Sequence, residues 1–213
     1  MLESGEVMTK IAILGTGRVG TAIWKGIKKG SDQVKFGSRN PSQAKVEKGS
    51  EVIGLDEAAK WADVIVLAVP HKATEKVIKG AGEANFKNKV VIDVTNAIND
   101  RGELALGYST SGAEDIQKLI PNARVVKAFN TVFAENMEKG KINKNALTLF
   151  VASDDKKAKE IVMELGRTIG FRPVDAGPLK SARYLEPMGM LLINLGYGSS
   201  LGTKIGFLLV DEK

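Results

Sequence analysis

The stretch Lys10-Ile11-Ala12-Ile13-Leu14-Gly15-Thr16-Gly17-Arg18-Val19-Gly20 decides the fold. An apolar run of strand length ends there in Gly-x-Gly-x-x-Gly, at the junction with a segment of helical pattern. Gly15 allows a tight turn, Gly17 lets the backbone approach a pyrophosphate, and Gly20 lets the helix pack closely on the strand. Unpaired N–H groups and the helix dipole at the start of the helix favour an anion. The stretch therefore predicts a dinucleotide-binding strand, turn and helix.

Apolar runs of strand length and helical patterns alternate along the rest of the chain. Such alternation predicts an α/β fold of the Rossmann type, with a doubly wound, mostly parallel sheet and a C-terminal helical extension. We expect strands at 10–14, 33–37, 52–53, 62–69, 88–96, 124–129, 146–152 and 171–174. We expect helices at 21–29, from Asn40-Pro41 through Lys45, from a cap at Asp56 to Trp61, from a Ser111 cap to Ile120, from Asp154 or Asp155 to Ile169, and from Ser181 to Tyr197. The loop at 97–111 is expected to be irregular.

The end of the second strand indicates which nucleotide binds. In an NAD site a carboxylate about 20 residues beyond the glycines accepts hydrogen bonds from the ribose 2′-hydroxyl. This strand ends in Ser38-Arg39, and Asp32 precedes the strand and so lies at its wrong end. A hydroxyl and a guanidinium suit a 2′-phosphate, which a carboxylate would repel. We predict NADP(H), with Lys45 as a second positive charge or an ordinary solvated lysine.

The fourth strand ends in Ala68-Val69-Pro70-His71, at the edge of the sheet where open α/β folds bind ligands. His71 is predicted either to contact the nicotinamide end or the phosphates, or to be a partly exposed histidine at the start of a helix. The C-terminal helix carries apolar residues at helical spacing, and its apolar face packs either on its own sheet or on a second copy of the chain. These residues are Leu185, Met188, Leu191, Leu192 and Leu195.

Composition excludes several kinds of site. The chain of 213 residues has no cysteine and a single histidine, so disulfides, thiolate nucleophiles and histidine-based metal sites are not expected. The net charge of +6 comes from lysines scattered among acids, which is typical of a solvated surface and not of nucleic-acid binding. Met1–Val7 carries two glutamates and no apolar run, so no signal peptide is expected, and Met8 is an alternative start. No run is long enough for a membrane span, and we expect a cytoplasmic protein.

Several stretches together resemble the NADP-dependent reductases of the deazaflavin coenzyme F420. They are the glycine loop, Gly37-Ser38-Arg39, Ala68-Val69-Pro70, Asp175-Ala176-Gly177-Pro178-Leu179 with Ser181-Ala182-Arg183-Tyr184-Leu185-Glu186-Pro187, and Gly202-Thr203-Lys204-Ile205-Gly206-Phe207-Leu208. The resemblance covers nearly the whole chain, and the Asp-Ala-Gly-Pro-Leu stretch is its most specific part. It implies direct hydride transfer between NADPH and F420, usually in a homodimer, with no catalytic side chain beyond those that position the rings.

The resemblance also implies roles for individual residues. Residues matching Thr16, Arg18, Val19, Ser38 and Arg39 hold NADP, and Val69-Pro70, Thr95-Asn96-Ala97 and Asn130-Thr131 match segments that line the nicotinamide and the second ring. Gly206 and Phe207 match a stretch near the second coenzyme. We therefore expect a NADP-binding Rossmann domain at 1–175 and a helical extension at 176–213 that completes the substrate cleft and forms a possible dimer interface.

One departure leaves the hydride acceptor open. Archaeal members of the family tend to have His-Thr where this chain has Asn130-Thr131, and Lys127-Ala128-Phe129-Asn130-Thr131 resembles bacterial relatives and the reductase domain of six-transmembrane metalloreductases. FMN or FAD is the alternative acceptor. Two further alternatives are a small carbonyl or imine reductase, for which no convincing proton donor is found, and a protein that binds NADPH as a sensor without turnover.

Overall fold

A computed structural model describes residues 8–30 and 33–212 of the chain. Its central element is a six-stranded parallel sheet in the order β3-β2-β1-β4-β5-β6. Its strands are β1 Lys10–Leu14, β2 Gln33–Ser38, β3 Glu51–Gly54, β4 Val64–Leu67, β5 Val90–Asp93 and β6 Arg124–Lys127. This order is that of a dinucleotide-binding fold, and its direction reverses between β1 and β4. The predicted Rossmann fold is confirmed. The predictions about Met1–Val7 and Asp32 concern residues outside the described part of the chain.

Seven α-helices are seen in the described part of the chain. They are α1 Arg18–Ile27, α2 Leu55–Trp61, α3 Thr74–Ala81, α4 Gly112–Leu119, α5 Ala134–Met137, α6 Lys156–Ile169 and α7 Ala182–Tyr197. Alternate residues of β1 face opposite helical layers, as the pleat requires. Ile11 and Ile13 pack in the cluster that contains residues of α1 and α6, whereas Ala12 and Leu14 pack against α2, α3 and α4. The sheet is therefore covered on both faces.

The last strands do not continue the parallel sheet. A short hairpin, β7 Lys141–Ile142 and β8 Asn145–Ala146, precedes a parallel pair, β9 Thr148–Val151 and β10 Arg172–Asp175. Residues Lys127 and Ala152 join this pair to β6 through an antiparallel bridge. The expectation that the doubly wound order continues to the last strands is wrong. The chain enters β9 at the carboxyl end of β6, so that β9 runs antiparallel to β6 and does not extend the parallel sheet. The sheet as a whole is still mostly parallel.

Two local predictions about helices need correction. The helix expected from Asn40-Pro41 is only a 3-10 turn over Pro41–Gln43, so Lys45 lies in an exposed segment beyond it. Asp56 does not cap α2: the cap position is Gly54, and Asp56 lies in the first turn, where a carboxylate also suits the helix dipole. By contrast, Ser111 and Asp155 cap α4 and α6 as predicted, accepting from the backbone N–H of Glu114 and Ala158.

The loop at 97–111 is irregular, as expected, apart from an isolated bridge between Ile98 and Leu104. Helix α3 follows a 3-10 turn at His71–Ala73, in line with the interpretation of His71 as a residue at the start of a helix. The short helix α5 and the β7–β8 hairpin were not expected from the sequence. None of the described helices is long and apolar enough to cross a membrane.

Candidate active site at the carboxyl ends of β1, β4, β5 and β6

The glycine loop between β1 and α1 has a different requirement at each glycine. Gly15 has φ +127°, and a Cβ there would strike the carbonyl of Ala68. A Cβ on Gly20 would strike the carbonyl of Gly15. A Cβ on Gly17, however, would meet no protein atom within 4 Å, and its φ of −79° is open to any residue. The protein itself does not need a glycine at 17, so the free space there suits a ligand that approaches the backbone.

The start of α1 is equipped for an anion. The first intrahelical bond runs from the N–H of Thr21 to the carbonyl of Gly17, which leaves the N–H groups of the first turn without helical acceptors. No side chain caps this end, and its first turn contains no acid. Arg18, the first helical residue, is exposed and forms an ion pair with Glu135 of α5. A pyrophosphate at this point would meet free N–H groups and a guanidinium.

The end of β2 lies beside this loop, since the N–H of Gly15 donates to the carbonyl of Gly37 at 3.3 Å. Ser38 is half-buried and its Oγ accepts from the N–H of Asn40 at 3.2 Å. Arg39 is exposed, and within the described residues it has no ion pair or side-chain hydrogen bond. An uncommitted guanidinium next to a hydroxyl fits a phosphate, because Arg offers several donors in one plane.

A groove of about 410 Å³ follows the strand ends from the glycine loop, and we call it the nucleotide groove. It is lined by Gly17, Arg18, Val19, Ala68, Val69, Pro70, His71, Val94, Thr95, Asn96 and Ile98. A smaller apolar recess of about 250 Å³, the inner pocket, adjoins it. It is lined by Arg18, Val19, Val94, Asn96, Phe129, Asn130, Val132, Phe133, Ala134, Glu135, Met137, Gly189, Leu192, Ile193 and Tyr197. The two cavities share Arg18, Val19, Val94 and Asn96, so they form one continuous cleft.

Buried polar atoms without partners mark the walls of this cleft. Thr95 and Asn130 are each 5% exposed. Oγ1 of Thr95, Oδ1 of Asn130 and Nδ1 of His71 are buried and, within the described residues, have no hydrogen-bond partner. Buried polar groups are usually paired, and an orphan needs an explanation such as a ligand. Oγ of Ser50 and Nε of Arg124, on residues that line neither cavity, are unpartnered as well, and Nδ1 of His71 faces Gly112. The fit of the cleft to a nicotinamide and a second heterocycle therefore rests on the free space over Gly17 and on the two adjoining cavities.

The backbone before Asn130 is strained. Phe129 has φ +64°, a left-handed conformation that is energetically unfavourable for a bulky residue. Its ring packs edge-on against the ring of Phe171, with the ring centroids 5.7 Å apart. The turn redirects the chain after β6, so that Asn130 donates to Oδ1 of Asn96 at 2.9 Å and to the carbonyl of Leu185 at 2.7 Å. Asn130 therefore connects the ends of two strands to α7.

Beneath the cleft lies a cluster of buried charges, Asp93, Lys127 and Glu186, each at most 2% exposed. The ammonium of Lys127 contacts Oδ2 of Asp93 at 2.8 Å and Oε1 of Glu186 at 2.9 Å. Burial works to lower the pKa of Lys127, but the two carboxylates outweigh it and the pKa is raised above its usual value. The lysine is therefore charged at neutral pH.

Not every predicted site residue faces the cleft. Ala97 and Thr131 are buried behind its walls, and Gly20 is buried beneath the loop. Thr16 lines a further recess between α1 and α5, which shares Gly17 and Arg18 with the nucleotide groove. Gly206 and Phe207 lie beside the start of β9, where the carbonyl of Phe207 accepts from the N–H of Thr148. Neither the nucleotide groove nor the inner pocket is lined by Gly15, Ser38, Arg39, Lys45, Gly206 or Phe207. The roles implied for these residues stay predictions.

Sequence reasoning missed most of the inner pocket. Much of its wall comes from α5 and α7, as with Ala134, Met137 and Gly189. Gly189 was the one available signal, because a glycine inside an apolar helix often marks a close approach. A Cβ there would lie 2.9 Å from the carbonyl of Asn130 and closer still to Oδ1 of Asn96. The helix thus packs directly on the two asparagines.

The chain is similar in sequence to known NADP-dependent reductases. The profile of the family described as NADP oxidoreductase, coenzyme F420-dependent, matches residues 10–97. The F420-dependent NADP reductase of Methanocaldococcus jannaschii is 32% identical over 207 residues, which cover 87% of this chain and 92% of that protein. Rat metalloreductase STEAP3 is 30% identical over 195 residues, which cover 91% of this chain, and the chain spans only 39% of its length.

Solved structures agree with this placement. A protein of Arthrobacter sp. FB24, provisionally assigned as an F420-dependent NADP reductase, superposes with a TM-score of 0.87 at 26% identity, covering 95% of this chain and all of that one. Pyrroline carboxylate reductase of Plasmodium falciparum superposes with a TM-score of 0.59 at 14% identity, which shows a shared fold alone.

Proposed function

This chain belongs to the family of coenzyme F420-dependent NADP oxidoreductases, and on that premise we propose that it transfers hydride directly between NADPH and F420. The reaction is NADPH + F420 + H⁺ → NADP⁺ + F420H₂, or its reverse. The two coenzymes supply the redox chemistry. The observation that carries the proposal is the continuous cleft formed by the nucleotide groove and the inner pocket, which provides adjoining space for two ligands.

We assign the NADP half of the site to the glycine loop and the end of β2. The free space over Gly17 and the uncapped start of α1 suit the pyrophosphate, and Arg18 supplies a guanidinium beside it. Ser38 and Arg39 suit the 2′-phosphate. In this proposal the nicotinamide end reaches the part of the groove lined by Pro70, His71 and Thr95.

The acceptor half is proposed to be the inner pocket. Its walls are mostly apolar, from Phe129, Val132, Phe133 and Leu192, with Asn96 and Asn130 as polar groups. Apolar walls exclude water from a transferred hydride, and a few fixed polar groups orient a flat ring. No side chain is required to bond covalently to either coenzyme, so the work of the protein is to hold two rings face to face.

The test is an anaerobic assay of purified protein with NADPH and oxidised F420, with FMN and FAD in parallel, followed at the visible absorbance of each ring. We expect rapid bleaching of F420 and slow or no bleaching of the flavins. Bleaching of FMN or FAD alone would make the chain a flavin reductase. Tight NADPH binding without turnover of any of the three would contradict the proposed activity and favour the sensor or the carbonyl-reductase alternative.

We also propose that the enzyme is a homodimer formed through α7. Tyr184 and Leu191 are 65% and 51% exposed, and with the half-buried Met188 and Leu195 they form an apolar stripe at helical spacing. A second copy of α7 would cover this stripe in a symmetric contact. Light scattering of the wild type and of Leu191→Asp tests the proposal: a dimer that becomes a monomer supports it, and a wild-type monomer contradicts it.

We place the enzyme in the cytoplasm, because a chain of this length without cysteine makes no use of an oxidising compartment. Fractionation of the native host would test this location.

A further inference from the structure

The buried cluster of Asp93, Lys127 and Glu186 makes contacts that ion pairing alone does not explain. Besides the two carboxylates, the ammonium of Lys127 donates to the carbonyl of Thr95 at 2.6 Å. Oδ1 of Asp93 accepts from the N–H of Thr95 at 2.9 Å. Both backbone groups of one cleft residue are thus held by the cluster.

The second carboxylate of the cluster connects two helices to the same point. Glu186, on α7, accepts from the N–H groups of Gly112 and Ala113 at 3.0 and 3.2 Å, at the start of α4. The ring of His71 packs so closely on Gly112 that a Cβ there would lie 2.9 Å from it. Glu186 therefore joins α7 to the first turn of α4, which Ser111 caps, and through Gly112 it is connected to the ring of His71.

Helix α7 transmits the same constraint to the inner pocket. One turn after Glu186, Gly189 packs on the carbonyl of Asn130, and the carbonyl of Leu185 accepts from the side chain of Asn130. A shift of Glu186 would move both contacts. Lys127 thus contacts Thr95 directly, and through Glu186 it is connected to Gly112, beside His71, and to the turn of α7 that packs on Asn130.

We propose that Lys127 is a positioning residue for hydride transfer, which fixes the relative places of Thr95, His71 and Asn130 around the two rings. The inference rests on the proposed function. Removal of one partner from a buried ion cluster also destabilises the fold, so the effect of Lys127 on geometry is measured by the rate constant and not by Tm. Lys127 touches neither coenzyme and acts only through its neighbours.

The chain offers a matched control in Lys159 of α6. This lysine is 8% exposed, and its ammonium contacts Oδ1 of Asp175 at 2.7 Å and the carbonyl of Gly177 at 2.8 Å. It has the same kind of partners as Lys127, a carboxylate and a carbonyl, but it lines neither the nucleotide groove nor the inner pocket. Its loss should affect stability without affecting the cleft.

The experiment compares Lys127→Met, Glu186→Gln and Lys159→Met with the wild type. For each protein, stopped-flow single turnover with NADPH and F420 gives the rate constant of hydride transfer, titration gives the Kd of NADPH, and thermal unfolding gives Tm. We expect Lys127→Met and Glu186→Gln to lower the rate constant by about tenfold or more, since small misplacements of reacting groups are costly. Their Kd for NADPH should change less than about threefold, because Arg39 and the glycine loop stay in place.

Lys159→Met should lower Tm while keeping the rate constant within about twofold of the wild type. Glu186→Gln keeps the pair of Lys127 and Asp93, so it carries the test if Lys127→Met does not fold. A wild-type rate constant in folded Glu186→Gln, or an equal slowing in Lys159→Met, would overturn the inference. Failure of the wild type to reduce F420 is a separate result, which would refute the proposed function.

Discussion

Asn96 and Asn130 hold each other across the ends of β5 and β6. Nδ2 of Asn130 donates to Oδ1 of Asn96 at 2.9 Å, and Nδ2 of Asn96 donates to the backbone carbonyl of Asn130 at 3.0 Å. The reciprocal pair fixes both amides, and it leaves Oδ1 of Asn130 as a buried acceptor without a partner in the described residues. This buried acceptor belongs to a residue that lines the inner pocket.

Replacement of Asn130 by alanine tests this role. The change removes the free acceptor and leaves Oδ1 of Asn96 and the carbonyl of Leu185 without their donor. A buried group left unpaired costs about 1–3 kcal/mol, so we expect hydride transfer to slow about tenfold or more. The Kd of NADPH should change little, because its phosphate contacts lie elsewhere. Single-turnover kinetics with F420 measure the first quantity, and an unchanged rate constant would contradict the assignment.

Replacement of Arg39 by alanine tests nucleotide selection. A charged hydrogen bond to a 2′-phosphate contributes about 1.5–3 kcal/mol, and because Arg39 is exposed we expect the lower end of that range, about a tenfold rise in the Kd of NADPH. Binding of NADH should stay the same. Lys60→Ala, which removes an exposed cation paired with Asp56, is the control for loss of charge. Equal weakening of both nucleotides would refute the assignment.

The glycines at 17 and 20 should respond oppositely to alanine. A methyl group at 17 meets only free space, so Gly17→Ala should leave Tm nearly unchanged and weaken NADPH binding about tenfold or more, by filling the place of the pyrophosphate. A methyl group at 20 strikes the carbonyl of Gly15, so Gly20→Ala should lower the stability of the fold by about 1–3 kcal/mol. Calorimetry of folding and binding separates the two effects. Normal NADPH affinity in Gly17→Ala would contradict the site.

Alanine at 189 tests the contact between α7 and the asparagine pair. Its Cβ would lie 2.9 Å from the carbonyl of Asn130, so helix or pair must shift, at a cost of about 1–3 kcal/mol. We expect a lower Tm and slower hydride transfer in the same variant. Ala182, buried at the start of α7, offers a control as Ala182→Ser, which should leave the rate constant unchanged. Full activity of Gly189→Ala would show that α7 does not position the pair.

The ion pair of Glu114 and Arg183, which joins α4 to α7, predicts a pH dependence of stability. The guanidinium of Arg183 holds the pKa of Glu114 below its usual value. A carboxyl whose pKa is lower in the folded state than in the unfolded state stabilises the protein at any pH above its unfolded pKa. This stabilisation is lost as the pH falls through the folded pKa. Because the pair is partly exposed, we expect about 0.5–1 kcal/mol. The difference in Tm between wild type and Arg183→Met should thus be present at pH 7 and decrease as the pH falls through the lowered pKa of Glu114; a difference that does not depend on pH would contradict the account.

The sequence was most informative where backbone geometry restricts the residue type. Gly15 and Gly20 are glycines because carbonyl groups occupy the places of their Cβ atoms, and the strand order follows from a motif with that requirement. The position of Ser38-Arg39 could be predicted for the same reason, because the strand next to β1 in a parallel sheet must end beside the glycine loop. The fold, and the position of Ser38-Arg39 beside the glycine loop, were therefore predictable.

The inner pocket was not predictable in the same way. Its shape depends on how α5 and α7 pack, and on the left-handed turn at Phe129, which no local pattern signals. In the buried cluster, Lys127 lies 34 positions after Asp93 and 59 positions before Glu186. The periodicity of a sequence carries no information on contacts between residues so far apart. The reversal of β9 escaped prediction because a single bridge to β6 decides it.

Direct hydride transfer is the central claim, and isotope transfer tests it most directly. NADPH carrying deuterium at the transferred position of the nicotinamide is mixed with the enzyme and oxidised F420, and the reduced F420 is examined by mass spectrometry. We predict that the deuterium appears on the ring carbon of F420, from one face of the nicotinamide only. Reduced F420 without deuterium, or deuterium released to water, would contradict the account.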